Sequence, residues 1–178
     1  AAVELYGSRS IDSVSLREIG VAAGQKNPNA LQYHFGDRDG LLQAIVDKHA
    51  VAVSDIRESY IRRAEQGEWP AGEAAARCLV MPIIDYVELN PDGIDFVKIV
   101  SQIAAVYQNG STPKSEARIL FPKNEPLVKV FEQALSGVSR REAQRRIYLV
   151  VTNTFHSIAD IYRASKQQGS GSPIAARG

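Results

Sequence analysis

The chain is poor in the residues that carry covalent and metal chemistry. Its single cysteine, Cys78, excludes an internal disulfide, so the chain is no disulfide-stapled secreted scaffold and suits a reducing compartment. Its three histidines, His34, His49 and His156, are far apart and fit no metal-ligand spacing. A glycine-rich phosphate loop is missing, and no spacing of Ser, His and Asp pairs a nucleophile with a base. No cofactor and no enzymatic activity are expected. No apolar run approaches the ~18 residues that span a bilayer, and no signal peptide is visible, so a membrane partner is not expected and a cytoplasmic location is. The formal net charge is only +1, so any affinity for nucleic acid must come from a local patch.

Strand signals are missing too. Asp92-Gly93 and Asn109-Gly110 sit between helical patterns, not between alternating β-branched runs. What is present is helical punctuation. Ser15-Leu16-Arg17-Glu18 and Ser139-Arg140-Arg141-Glu142 both have the form of a capping box. Asn27-Pro28 and Asn90-Pro91 each set a capping residue before a proline suited to a first helical position. The pattern predicts an all-α fold of about nine helices. The first ends near Gly7; others run over about 15–23, 28–33, 38–63, 70–89, 91–108, 127–136 and 140–166, with one short turn inside the loop 109–126. The early helices are short and the later ones long. That break predicts a head over residues 1–36 on a bundle over 37–168, with a flexible tail over 169–178. The chain opens at Ala1 inside a helical pattern, so further residues are expected before it.

The head holds a recognisable unit. Leu16, Ile19 and Ala23 share a helical face, Gly24 permits a sharp left-handed stop, and a second short helix follows with Ala30, Leu31 and Phe35 on its apolar side. Two short helices joined at a glycine form a helix-turn-helix. By itself this is a moderate signal, because many helical hairpins look the same.

The run Ser15, Ile19-Gly20, Ala23-Gly24, Leu31-Gln32-Tyr33-His34-Phe35, Gly36-Asp37-Arg38 and Leu41-Leu42 resembles the DNA-binding head of the tetracycline-repressor (TetR) family of transcription regulators. The match covers residues 1–44, with Tyr-His-Phe-Gly-Asp-Arg its most specific part. Gly20 replaces the usual alanine, and Asn27-Pro28-Asn29 replaces the usual small residues before the recognition helix. The resemblance implies a dimer on palindromic double-stranded operator DNA, released by a small-molecule effector. It also matches Tyr33, His34 and Arg38 to positions that touch the DNA backbone.

The residue chemistry fits that expectation. Lys26, Asn29 and Gln32 offer hydrogen-bonding side chains for base edges in the major groove. Asn27 is either a cap or a further base reader. Ser15 lies at a helix N-terminus, where free N–H groups favour an anion. Tyr33, His34 and Arg38 are candidate phosphate donors, although Tyr33 and His34 also suit structural roles. Phe35 is read as core. The charge count is awkward: Arg9, Arg17, Lys26, Arg38 and Lys48 face Glu4, Asp12, Glu18, Asp37, Asp39 and Asp47 over residues 1–50, a net −1 where a basic patch is usual.

In the body, Pro82 inside a helical run removes a backbone hydrogen bond and is expected to kink the helix and open space. Candidate pocket residues are Trp69, Met81, Tyr86, Phe96, Gln102, Tyr107, Phe121, Phe155 and His156. The last two helices carry apolar stripes too wide for one buried face. By the resemblance their surplus makes a dimer seam, with Leu127, Phe131, Leu135, Val151, Phe155, Ile158 and Tyr162 as candidates. The alternative is a helical protein-interaction or ligand-carrying module without DNA binding.

Overall fold

The structure is a computed structural model and describes residues 1–27, 29–107 and 119–167. The described residues form eight α-helices and one short 3-10 turn, with no strand. The helices are α1 (Ala2–Ser8), α2 (Leu16–Ala22), α3 (Ala30–Phe35), α4 (Arg38–Glu65), α5 (Ala71–Leu89), α6 (Gly93–Tyr107), α7 (Glu125–Ala134) and α8 (Arg140–Gln167); the turn is Ile11–Ser13. The tail, Pro28 and most of the loop before α7 lie outside the described residues. None of the described helices is long and apolar enough to cross a membrane.

The boundaries follow local chemistry. Ser15 Oγ accepts the Glu18 N–H at 3.1 Å, which caps α2. The return arm of the capping box is not made, because the Glu18 carboxylate pairs with Arg9 instead. Gly24 closes α2 with φ +69°, a conformation that costs a side chain dearly. Asp37 Oδ1 accepts the Gly40 N–H at 2.9 Å and starts α4. Asn90 ends α5, its backbone N–H on the Tyr86 carbonyl.

Two compact units divide the chain. Among the described residues, the first contains 1–27, 29–50, 92–107 and 119–122, and the second contains 51–91 and 123–167. The first unit runs on past residue 36. It takes in the first part of α4 and all of α6, because α1 is too short to bury its own apolar face and packs on α6. Tyr6, Val14, Leu42, Val46, Val97 and Ile99 form the centre of this unit. Gln102 on α6 fastens the chain after α1. Its Oε1 accepts the Ile11 N–H at 2.9 Å, and its Nε2 donates to the Tyr6 carbonyl at 2.8 Å and the Arg9 carbonyl at 3.3 Å. His49 is buried with its ring stacked 4.8 Å from Phe96, and burial pushes its pKa below the usual imidazole value.

In the second unit α5 packs on α7 and α8. Ile61, Cys78, Leu79, Val130 and Phe131 form its core, with Trp69, Leu127, Ile147 and Val151 packed around them.

Candidate nucleic-acid interface

Helices α2 and α3 pack against each other across the turn at Gly24. Ala30 is buried, and Leu31 and Phe35 are half-buried, so this side of α3 faces inward. A β-carbon on Gly20 would stand 3.8 Å from Leu31 Cδ1, which shows how near the two helices approach. Asn29, Gln32 and Tyr33 stand three and four residues apart on the other side and are all exposed. Tyr33 is 86% exposed, with its ring edge-on to His34 at 5.4 Å between centroids. An aromatic ring held that far into solvent makes no contribution to the core, and its hydroxyl is free to donate outward.

The start of α3 differs from the expected one. Its N-terminal cap is Asn29, not Asn27, and Asn29 makes no side-chain cap bond. Asn27 instead accepts the Asn29 N–H on Oδ1 at 3.0 Å and the Ala30 N–H on its carbonyl, so it shapes the turn before the helix. Lys26 is exposed in the same turn. Ser15 is exposed, but its oxygen already serves the α2 cap.

Two of the four cations around this surface are engaged. Arg9 pairs with Glu18, and Arg38 Nη1 lies 3.0 Å from Asp12 Oδ1. Arg17 and Lys26 are exposed and form no ion pair among the described residues. Arg17 was not singled out from sequence, although a basic residue in the first turn of α2, beside Ser15, was the available signal.

The candidate pocket residues are divided between the two units. Phe96, Gln102 and Phe121 belong to the first unit, whereas Trp69, Met81, Tyr86, Phe155 and His156 belong to the second; the Tyr107 side chain lies outside the described residues. Gln102 is committed to the backbone after α1. Trp69 is half-buried between Arg63 and Arg77, whose guanidinium carbons lie 4.4 and 5.2 Å from its ring centroid. The second unit has one groove of about 360 Å³ between α7 and α8, lined by Val128, Leu135, Val138 and Ile147, and another of about 370 Å³ lined by Ser54, Glu58, Arg62 and Asn124. Of the residues expected at a pocket or seam, only Leu135 lines either groove.

The residues expected at a dimer seam fall into two groups by burial. Phe131 and Ile158 are buried within the chain, and Leu127 and Val151 pack on its core, because that stripe is the inward face of α7 and α8. Leu135, Phe155 and Tyr162 are half-buried. The apolar side chains left exposed on these helices are Val128, Tyr148, Leu149, Val150 and Ile161. Comparison of the chain with protein-family models, curated proteins and solved structures found no match.

Proposed function

We propose that this chain is a DNA-binding transcription regulator that grips palindromic operator DNA as a homodimer and lets go when a small molecule binds its helical body. The observation that carries this reading is the outward face of α3. It sets Asn29, Gln32 and Tyr33 on one exposed side of a short helix whose other side is anchored to α2. A short helix presenting amide side chains fits the major groove, where glutamine or asparagine pairs bidentately with adenine. Arg17, Lys26, Tyr33, His34 and Arg38 surround it with phosphate donors that position rather than specify. The likeness of residues 1–44 to the tetracycline-repressor head supports the same reading. Val150 and Ile161, exposed on one face of α8 about three turns apart, offer a seat for a second copy of the chain.

The test is selection of bound duplexes from a random pool. The expected product is a palindrome whose half-sites lie ~34–36 Å apart, one turn of DNA, or a multiple of that. Gln32→Ala should relax preference at one position per half-site by ~1–3 kcal/mol. A pool that never enriches, with flat binding at low salt, would replace this reading by a helical interaction module.

A further inference from the structure

Arg57 on α4 lies inside the second unit and is only 8% exposed. One turn either side of it on α4, Val53 and Ile61 are buried as well. Its one hydrogen bond has a clear origin in the sequence. Pro82, inside α5, has no N–H, so the carbonyl four residues earlier loses its helical donor. That carbonyl belongs to Cys78, and Arg57 Nε donates to it at 3.0 Å.

This bond accounts for one of five N–H groups and for none of the charge. Arg57 forms no ion pair among the described residues. Burial pulls its pKa below the usual arginine value, and the group that acts the other way is Cys78, whose own pKa burial pushes up. Nη1 and Nη2 make no hydrogen bond among the described residues, yet they remain within reach of water. A neutral amide would satisfy a stranded carbonyl equally well. An uncompensated buried guanidinium is costly, and costly buried charges concentrate where a ligand completes them.

We propose that Arg57 is the anion-binding group of a ligand site in the helical body, taking a carboxylate whose remainder is apolar. The planar fork of Nη1 and Nη2 matches a carboxylate in two parallel hydrogen bonds, with Nε held by Cys78 as the fixed point. Val53 and Ile61, one turn to either side on α4, and Cys78 and Leu79, which cluster with Ile61, are buried apolar groups. The proposal rests on the reading of the body as the effector-binding part and names the class of that effector.

The experiment uses the whole chain without DNA. Thermal shift and calorimetry compare octanoate and benzoate, within a straight-chain and an aromatic set of acids, with the matching alcohols and inorganic phosphate. Carboxylates should raise the melting temperature and the alcohols should not. Arg57→Gln keeps a donor for Cys78 and removes the charge; it should bind the acid at least about tenfold more weakly while melting no lower than the parent. Arg57→Lys should fall between them, since it keeps the charge and loses the fork. Any one of four results would overturn the site: no acid in either set binds, acid and alcohol act alike, Arg57→Gln binds as tightly as the parent, or phosphate alone reproduces the shift. Because no DNA is present, such a failure leaves the operator reading standing. A failed operator selection with intact acid binding removes only the regulator.

Discussion

Gly20 and Gly40 both lie in helices with negative φ, yet they ask opposite things of their surroundings. A β-carbon at Gly20 meets only Leu31 Cδ1 at ordinary van der Waals distance. Gly20→Ala therefore gains helix propensity without a clash and should stabilise the chain by about 0.5–1 kcal/mol. At Gly40 a β-carbon would run into the Phe35 carbonyl, a backbone atom that cannot rotate away. Gly40→Ala should destabilise by roughly 1–3 kcal/mol and loosen the junction of α3 and α4. Urea denaturation of the two variants measures both signs; a shift of both midpoints in one direction would contradict this account of the head. The alanine that the sequence resemblance expects at position 20 is thus one the structure has room for. The glycine at 40 is a requirement of this backbone.

At the scale of elements, the helix ends were legible because each is a local event. Ser15, Gly24, Asp37, Asn90 and Ser139 act within three or four residues of themselves, through a cap or a positive φ. Which face of a helix turns inward was less legible. The stripes on α7 and α8 are wide enough for two readings, and only packing chose Phe131 and Ile158 for the interior and left Tyr148 and Leu149 outside. Long-range polar bonds left no trace at all in the sequence pattern. Gln102 reads from sequence as a pocket residue on an apolar helix, yet its amide ties Ile11, 91 residues away, to α6. Gln102→Ala leaves the Ile11 N–H and the Tyr6 carbonyl without this partner and should cost about 1–3 kcal/mol. Hydrogen exchange gives the sharper check. The Ile11 amide should lose protection more than amides of α5, which belong to the other unit. Uniform loss across both units would mean that Gln102 supports the whole fold rather than the attachment of α1.

At the scale of the whole molecule, the net charge of +1 supplies little long-range attraction for DNA, so under the proposed reading affinity would depend on a few freed cations near α3. Arg17 and Lys26 are available, whereas Arg38 is held by Asp12 at 3.0 Å with the pair largely open to solvent. An exposed pair of this kind is weak, so a phosphate can replace the carboxylate at little cost. Under the proposed operator reading, Asp12 would compete with DNA for Arg38. Asp12→Asn should tighten binding to operator and random duplex alike, because it removes a negative charge and releases a donor without touching a base reader. Arg38→Ala should weaken both, and it should lower the slope of log affinity against log salt by roughly one per head. Gln32→Ala should leave that slope unchanged while narrowing the gap between operator and random duplex. Fluorescence anisotropy over a salt series separates these terms. An Asp12→Asn chain that binds no tighter than the parent, with an Arg38→Ala slope equal to the parent's, would place the DNA away from the start of α4 and remove Arg38 from the interface.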